Sequence, residues 1–147
     1  MDIQDLVQCT VEELEAVFTK DGNLVAPTGR FWGRHLLRLD VAGSRRPLHW
    51  VSRPFAHTPF GVDFNANKWF FFGPWLRMGR FRAVEGTSRW RNTRSVALHY
   101  DDSGLPGFVR NMLYDEIKPL GPDLCLGLGG VNRETGAGDH FFFALGR

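Results

Sequence analysis

At 147 residues the chain fits a single domain, and a domain of this size buries roughly 70% of its unfolded surface. A net charge of +2 is too small to mark a nucleic-acid partner, and no stretch nears the ~20 apolar residues of a membrane span. The hydrophobic share of 43%, with 13 Phe and 5 Trp, asks for a large apolar interior, while 17 Gly and 8 Pro favour strands and turns over a helical bundle.

The opening "MDIQDLVQCT" carries acids where a signal peptide needs basic residues, so the expected location is cytoplasmic. "TVEELEAVF" reads as a short helix: Thr10 and Glu13 form a capping box, and Val11, Leu14, Val17 and Phe18 make one apolar face. Residues 1–22 are therefore expected as a helical segment, followed by a barrel over 29–147, all in one domain of 1–147. "GRFWGRHLLRLD" predicts a first strand, with period-two spacing of His35, Leu37 and Leu39. "SRRPLHWVSRPFAHTPFG" has helical spacing of Leu48, Val51 and Phe55 up to Pro54, and reads as a short helix or irregular lid.

From Phe64 onward the pattern is β. "KWFFFG", "LRMGRFRAVEG", "SVALHYD", "LYDEIKPLG", "DLCLGLGGVN" and "HFFFALG" are six candidate strands, separated by turns rich in Gly, Pro, Asp and Asn. Strands near Phe31 and Val62 bring the count to about eight. Consecutive hairpins of this length predict a mainly β, up-and-down antiparallel barrel with a short N-terminal helix, because closure removes exposed sheet edges. Eight strands enclose room for side chains or one small ligand.

The phrases "GRFWGR", "LHYDD", "YDEIKPLGPDLCLGLGGV" and "HFFFALGR" resemble a group of bacterial lipocalin-like, calycin-type proteins. Those chains open on a Gly-x-Trp-x-Gly-like phrase and close on a Tyr-Asp phrase, an Asp-Glu-Ile-Arg-like strand, a Gly-Leu-Tyr-Leu-Gly-like strand and a Phe-Ala-Leu strand. The likeness runs over residues 67–147; at the opening, Trp32 stands one place late, and Cys125 occupies a position often aromatic in the group. The resemblance implies a barrel for apolar small molecules and brings no catalytic residue. It also makes Trp32 an expected plug of the barrel end, with ligand contact as the alternative.

Arg77, Arg80, Arg82, Arg89, Arg91 and Arg94 interleave with Trp75, Phe81 and Trp90, a pattern that could hold single-stranded nucleic acid. Acids elsewhere balance these charges, so they read as exposed strand arginines, with no nucleic-acid partner. The five His residues never pair at ligand spacing and no metal is expected. Cys9 and Cys125 lie outside any CxxC pattern and read as idle thiols.

The acids are the candidate chemistry. Asp102 precedes Ser103-Gly104 and reads as a turn residue. Asp115 and Glu116 sit mid-strand and face opposite ways. Leu113, Asp115 and Ile117 form the more apolar face, so Asp115 is expected inside and Glu116 with Tyr114 and Lys118 outside. An inward carboxylate needs a partner; His99, Tyr100, Arg110 and the Arg77, Arg80 and Arg82 group are the candidates. An Arg partner would make Asp115 structural, whereas Tyr or His beside a cavity would let the pair move a proton.

Two functions follow as expectations. The first is a barrel that binds a small apolar molecule in an aromatic-lined cavity, with Trp32, Trp69, Phe71, Trp75, Tyr100 and Phe142 as ligand-binding residues. The second is an isomerase or cyclase that uses the barrel as a shaped chamber, with Asp115, His99 and Tyr100 as its catalytic groups. Neither calls for a cofactor, and the protein is expected as a monomer or homodimer.

Overall fold

The computed structural model describes residues 1–22, 24–36, 57–130 and 140–147, with the side chains of 112 and 140 left aside. The expected helix or lid over 44–61 lies outside the described residues up to 56, and its end, from Phe60, is strand; the turn "RETGAGD" lies outside them too.

Among the described residues, nine antiparallel strands form one sheet curled into a nearly closed barrel: β1 (Arg30–His35), β2 (Phe60–Asp63), β3 (Lys68–Phe71), β4 (Arg77–Arg80), β5 (Arg82–Thr87), β6 (Arg94–His99), β7 (Tyr114–Gly121), β8 (Leu124–Gly130) and β9 (His140–Gly146). The order β4-β3-β2-β1-β9-β8-β7-β6-β5 is a meander in which sequence neighbours pair and β1 meets β9. The sheet ends, β4 and β5, are consecutive in the chain and separated by Phe81 alone. "LRMGRFRAVEG", expected as one strand, thus pairs first with β3 and then with β6. Its corner is marked by Gly79 at φ 66° and by a register shift beside Lys68 and Trp69, the extra twist a bulge supplies where a sheet turns. Counting β4 and β5 as one bent strand recovers the expected eight.

Alternation along the strands sorts the apolar residues into two clusters. Phe31, Phe64, Trp69, Phe81, Leu98, Ile117, Cys125 and Phe143 belong to the barrel interior. Leu124, Leu126, Leu128, Phe142 and Ala144 belong to the outer face, under the N-terminal helices. Both faces of β8 are covered, so all seven of its residues are buried.

The cover consists of α1 (Ile3–Gln8) and α2 (Val11–Thr19). Each starts with a capping box, Asp2 with Asp5 and the expected Thr10 with Glu13. The expected helical segment over 1–22 is thus two short helices rather than one. Leu6, Leu14 and Phe18 are fully buried, and Phe18 meets Phe142 edge to face at 6.3 Å between ring centroids. Arg91 in the β5–β6 turn holds Glu15 of α2 through two contacts, 2.6 and 2.5 Å. A third short helix, α3 (Gly107–Met112), joins β6 to β7 where a turn was expected.

The outward residues of β7 correct an expectation. Glu116 is 0% and Lys118 3% exposed, because the helices and the β5–β6 turn cover that face. The Glu116 carboxylate accepts bonds from Ser88 Oγ (2.5 Å), Arg89 N (2.6 Å), Ser95 Oγ (3.1 Å) and Tyr114 OH (3.0 Å). Lys118 Nζ donates to Thr93 Oγ1, Arg94 O and Lys20 O. Burial lowers the Lys118 pKa, while the charges of Asp21 and Glu116 oppose that shift. These two side chains tie the β5–β6 turn and the end of α2 to the barrel wall.

Glu116→Gln places an amide among donors that all point at an acceptor. About 3 kcal/mol of stability should be lost, since breaking a buried charged network leaves its partners unsatisfied. Urea unfolding of the variant, read by circular dichroism, measures the loss; a midpoint equal to wild type would contradict it.

Candidate functional site

Inside the barrel, exposure changes from one end to the other. Phe31, Val96, Ile117, Cys125 and Leu145 are sealed. Towards the end where β1 finishes and β9 begins, His35, Phe71, Leu113, Asp115 and Phe141 are only partly buried. Their side chains are partly accessible at that end of the barrel.

Asp115 is in this half, facing inward as expected. The register Leu98↔Asp115↔Gly129 places it between β6 and β8. Gly129 leaves the wall bare at this point, and a Cβ there would collide with Asp115 Oδ1. Below it, Phe143 lies over Gly127 in the same way. The glycine face of β8 therefore turns inward and receives a carboxyl and a ring.

The partner of Asp115 is Tyr100, whose hydroxyl donates to Asp115 Oδ2. Trp69 Nε1 donates in turn to Tyr100 OH at 2.7 Å. An indole N–H can only donate, so Tyr100 must accept it and spend its own proton on Asp115. The direction of the relay is fixed by Trp69. Among the described residues, burial and the Tyr100 hydrogen bond are what act on the Asp115 carboxyl, with no cation beside them.

Burial without a cation raises the Asp115 pKa to about 7, against which the Tyr100 hydrogen bond acts. The Tyr100 pKa is raised well above its ordinary value by burial first, and then by the Asp115 charge. A residue missed as a candidate in the sequence, His35, shares this half: its ring lies 4.4 Å from Phe60 and 5.9 Å from Phe141. Burial lowers its pKa to about 4, and Nδ1 is buried with no hydrogen-bond partner among the described residues. Only its place in an alternating strand hinted at an inward side chain.

The other expected site residues divide. Trp69, Phe71 and Tyr100 are in the interior cluster with Asp115. Phe142 is not: it packs on Phe18 outside the barrel, one position out of phase with the inward Phe141 and Phe143. Trp75, 80% exposed, sits in the β3–β4 turn and lines no enclosed space. His99 faces out beside Tyr114, with 5.7 Å between rings, so it cannot serve Asp115. Trp32 is 47% exposed and leans on Phe70 from outside at 5.0 Å. The plug expected of Trp32 is supplied one residue earlier by Phe31, which packs on Phe64 at 5.5 Å and under the Arg147 guanidinium at 4.5 Å. Cys9 and Cys125 are thiols outside any disulfide, and burial pushes Cys125 up to about 12.

Among the described residues, no group of three or more metal-ligating side chains converges, and no helix is long and apolar enough to cross a membrane. A groove of about 400 Å³ between Met1, Leu120, Asp123 and Arg147 lies outside the barrel, away from Asp115.

No family model matches the chain, and no curated protein does. Among solved structures, a crystal structure of a protein from Thermomonospora curvata is similar over 99% of this chain and 93% of its own, with a TM-score of 0.57 and 17% identity. At that identity the likeness shows the fold: an antiparallel β-barrel.

Asp115 binds a proton more tightly in the fold than in the unfolded chain, whose carboxyl titrates near 3.8. Stability should therefore be greatest below pH 4 as far as this group is concerned, and fall as pH rises from 4 to about 7. Urea midpoints of wild type and Asp115→Asn, compared across that range, isolate the contribution: the variant should gain relative to wild type as pH rises. A difference that stays constant from pH 4 to 8 would show that Asp115 titrates normally.

Proposed function

We propose that the protein is a lipocalin-like barrel that takes one small apolar molecule into the half of its interior around Asp115. The observation that supports this most is the uneven burial of the inward side chains: sealed at one end, partly accessible around Phe71, Leu113 and Phe141. Apolar walls with a few fixed polar groups suit such a ligand, the walls giving affinity and the polar groups orientation. Here the orienting set is Trp69, Tyr100 and Asp115.

A second reading, an isomerase or cyclase, draws on the same pair. Asp115 titrates near neutrality, where a carboxyl both gives and takes protons at useful rates, and Tyr100 steadies its second oxygen. An acid/base role requires Asp115→Asn to abolish turnover while binding persists.

Trp69 reports on occupancy. Titration with 1-naphthol and with decanol should shift or quench intrinsic fluorescence in a saturable way, and Trp69→Phe should remove most of the change. Filling the space with Leu113→Trp should weaken both ligands at least tenfold. Unsaturable or absent responses in the wild type would refute a ligand-binding interior.

A further inference from the structure

The polar groups in this half of the barrel are unevenly spent. Trp69 Nε1–H is committed to Tyr100, and Tyr100 O–H to Asp115 Oδ2. Neither donor is left for a ligand. Asp115 Oδ1 remains, set over the bare backbone of Gly129, where the Phe141 and Phe143 rings also approach. Beside the unpartnered Nδ1 of His35, what the site offers is an acceptor oxygen flanked by aromatic rings.

Its ionised form has no countercharge among the described residues. Among the described residues, Tyr100 just after β6 and His35 of β1 are the titratable groups beside Asp115 in this half, and Cys125 lies lower on β8. None of the three is charged near neutral pH: burial keeps the Tyr100 phenol and the Cys125 thiol protonated and neutral, and lowers His35, the one group that could be a cation, to about 4. A buried carboxylate without a cation is costly, and a ligand that brings the cation relieves the cost. The faces and edges of aromatic rings around it add cation–π attraction for such a group.

We infer that the ligand is an apolar molecule bearing one protonated amine, with the ammonium donating to Asp115 Oδ1 beside Phe141 and Phe143. This rests on the reading of the barrel as a small-molecule binder and names the chemical class it selects. A neutral hydroxyl could donate to the same oxygen, but without relieving the missing charge. A carboxylic acid would meet like charge.

Three compounds of one shape separate these cases: 2-(1-naphthyl)ethylamine, 2-(1-naphthyl)ethanol and 3-(1-naphthyl)propionate, titrated calorimetrically into the full chain at pH 8. The amine should bind at least tenfold tighter than the alcohol, and the propionate most weakly. In Asp115→Asn the amine and alcohol should fall within about twofold of each other. Wild type gives a check that needs no variant: amine affinity should drop at least fivefold from pH 8 to pH 5, while alcohol affinity holds. Equal binding of amine and alcohol by the wild type would overturn the amine inference and leave the apolar-binder reading standing. A preference that survives in Asp115→Asn would overturn the role of Asp115. Binding of none of the three would remove both.

Discussion

Four residue pairs, from Trp32 with Gly146 to His35 with Phe143, join the first strand to the last. Everything else depends on this pairing. It gives the sheet an inside and an outside, and so turns simple alternation into two separate environments. Phe31 and His35 are interior residues because β1 docks on β9 in this register; a shift of one residue would put Trp32 and Arg34 inside instead. At the opposite point of the circuit no pairing is needed, since β4 runs into β5 through Phe81. The chain itself closes the gap.

With closure in place, the two faces of β7 take on different tasks. Its outward Glu116 is saturated by four donors and fastens the β5–β6 turn. Its inward Asp115 has one donor from Tyr100 and a free oxygen over Gly129. Adjacent acids on one strand thus carry opposite burdens: one is fully satisfied and structural, the other has one partner and sits at the partly accessible end of the barrel. This asymmetry is what marks Asp115 out from Glu116.

Much of this was legible in the sequence. Turn-bounded β runs gave the strand set, and Leu113 and Ile117 flanking Asp115 set its inward direction. The errors have physical causes. "HFFFALG" is apolar at every position, so its pattern does not say which Phe faces in; the β1 and β8 registers do, and they choose Phe141 and Phe143 over Phe142. Glu116 and Lys118 looked exposed because alternation reports opposite faces, not whether a helix covers one of them. Trp75 follows Gly73-Pro74, a turn signal that outweighs its aromatic character. The Trp69–Tyr100–Asp115 contact joins residues 31 and 15 positions apart, and depends on strand order around the barrel that no local pattern encodes.

The site depends on an Asp115 carboxyl held inside the barrel with Tyr100 and, among the described residues, no cation. Carbon-13 NMR of the Asp115 side-chain carboxyl, followed against pH, tests this directly. A titration centred near 7 is expected, moved further up in Tyr100→Phe because the hydrogen bond from Tyr100 lowers it. A midpoint at the ordinary aspartate value, unchanged in Tyr100→Phe, would place the carboxyl in water or beside a cation and contradict the site as described.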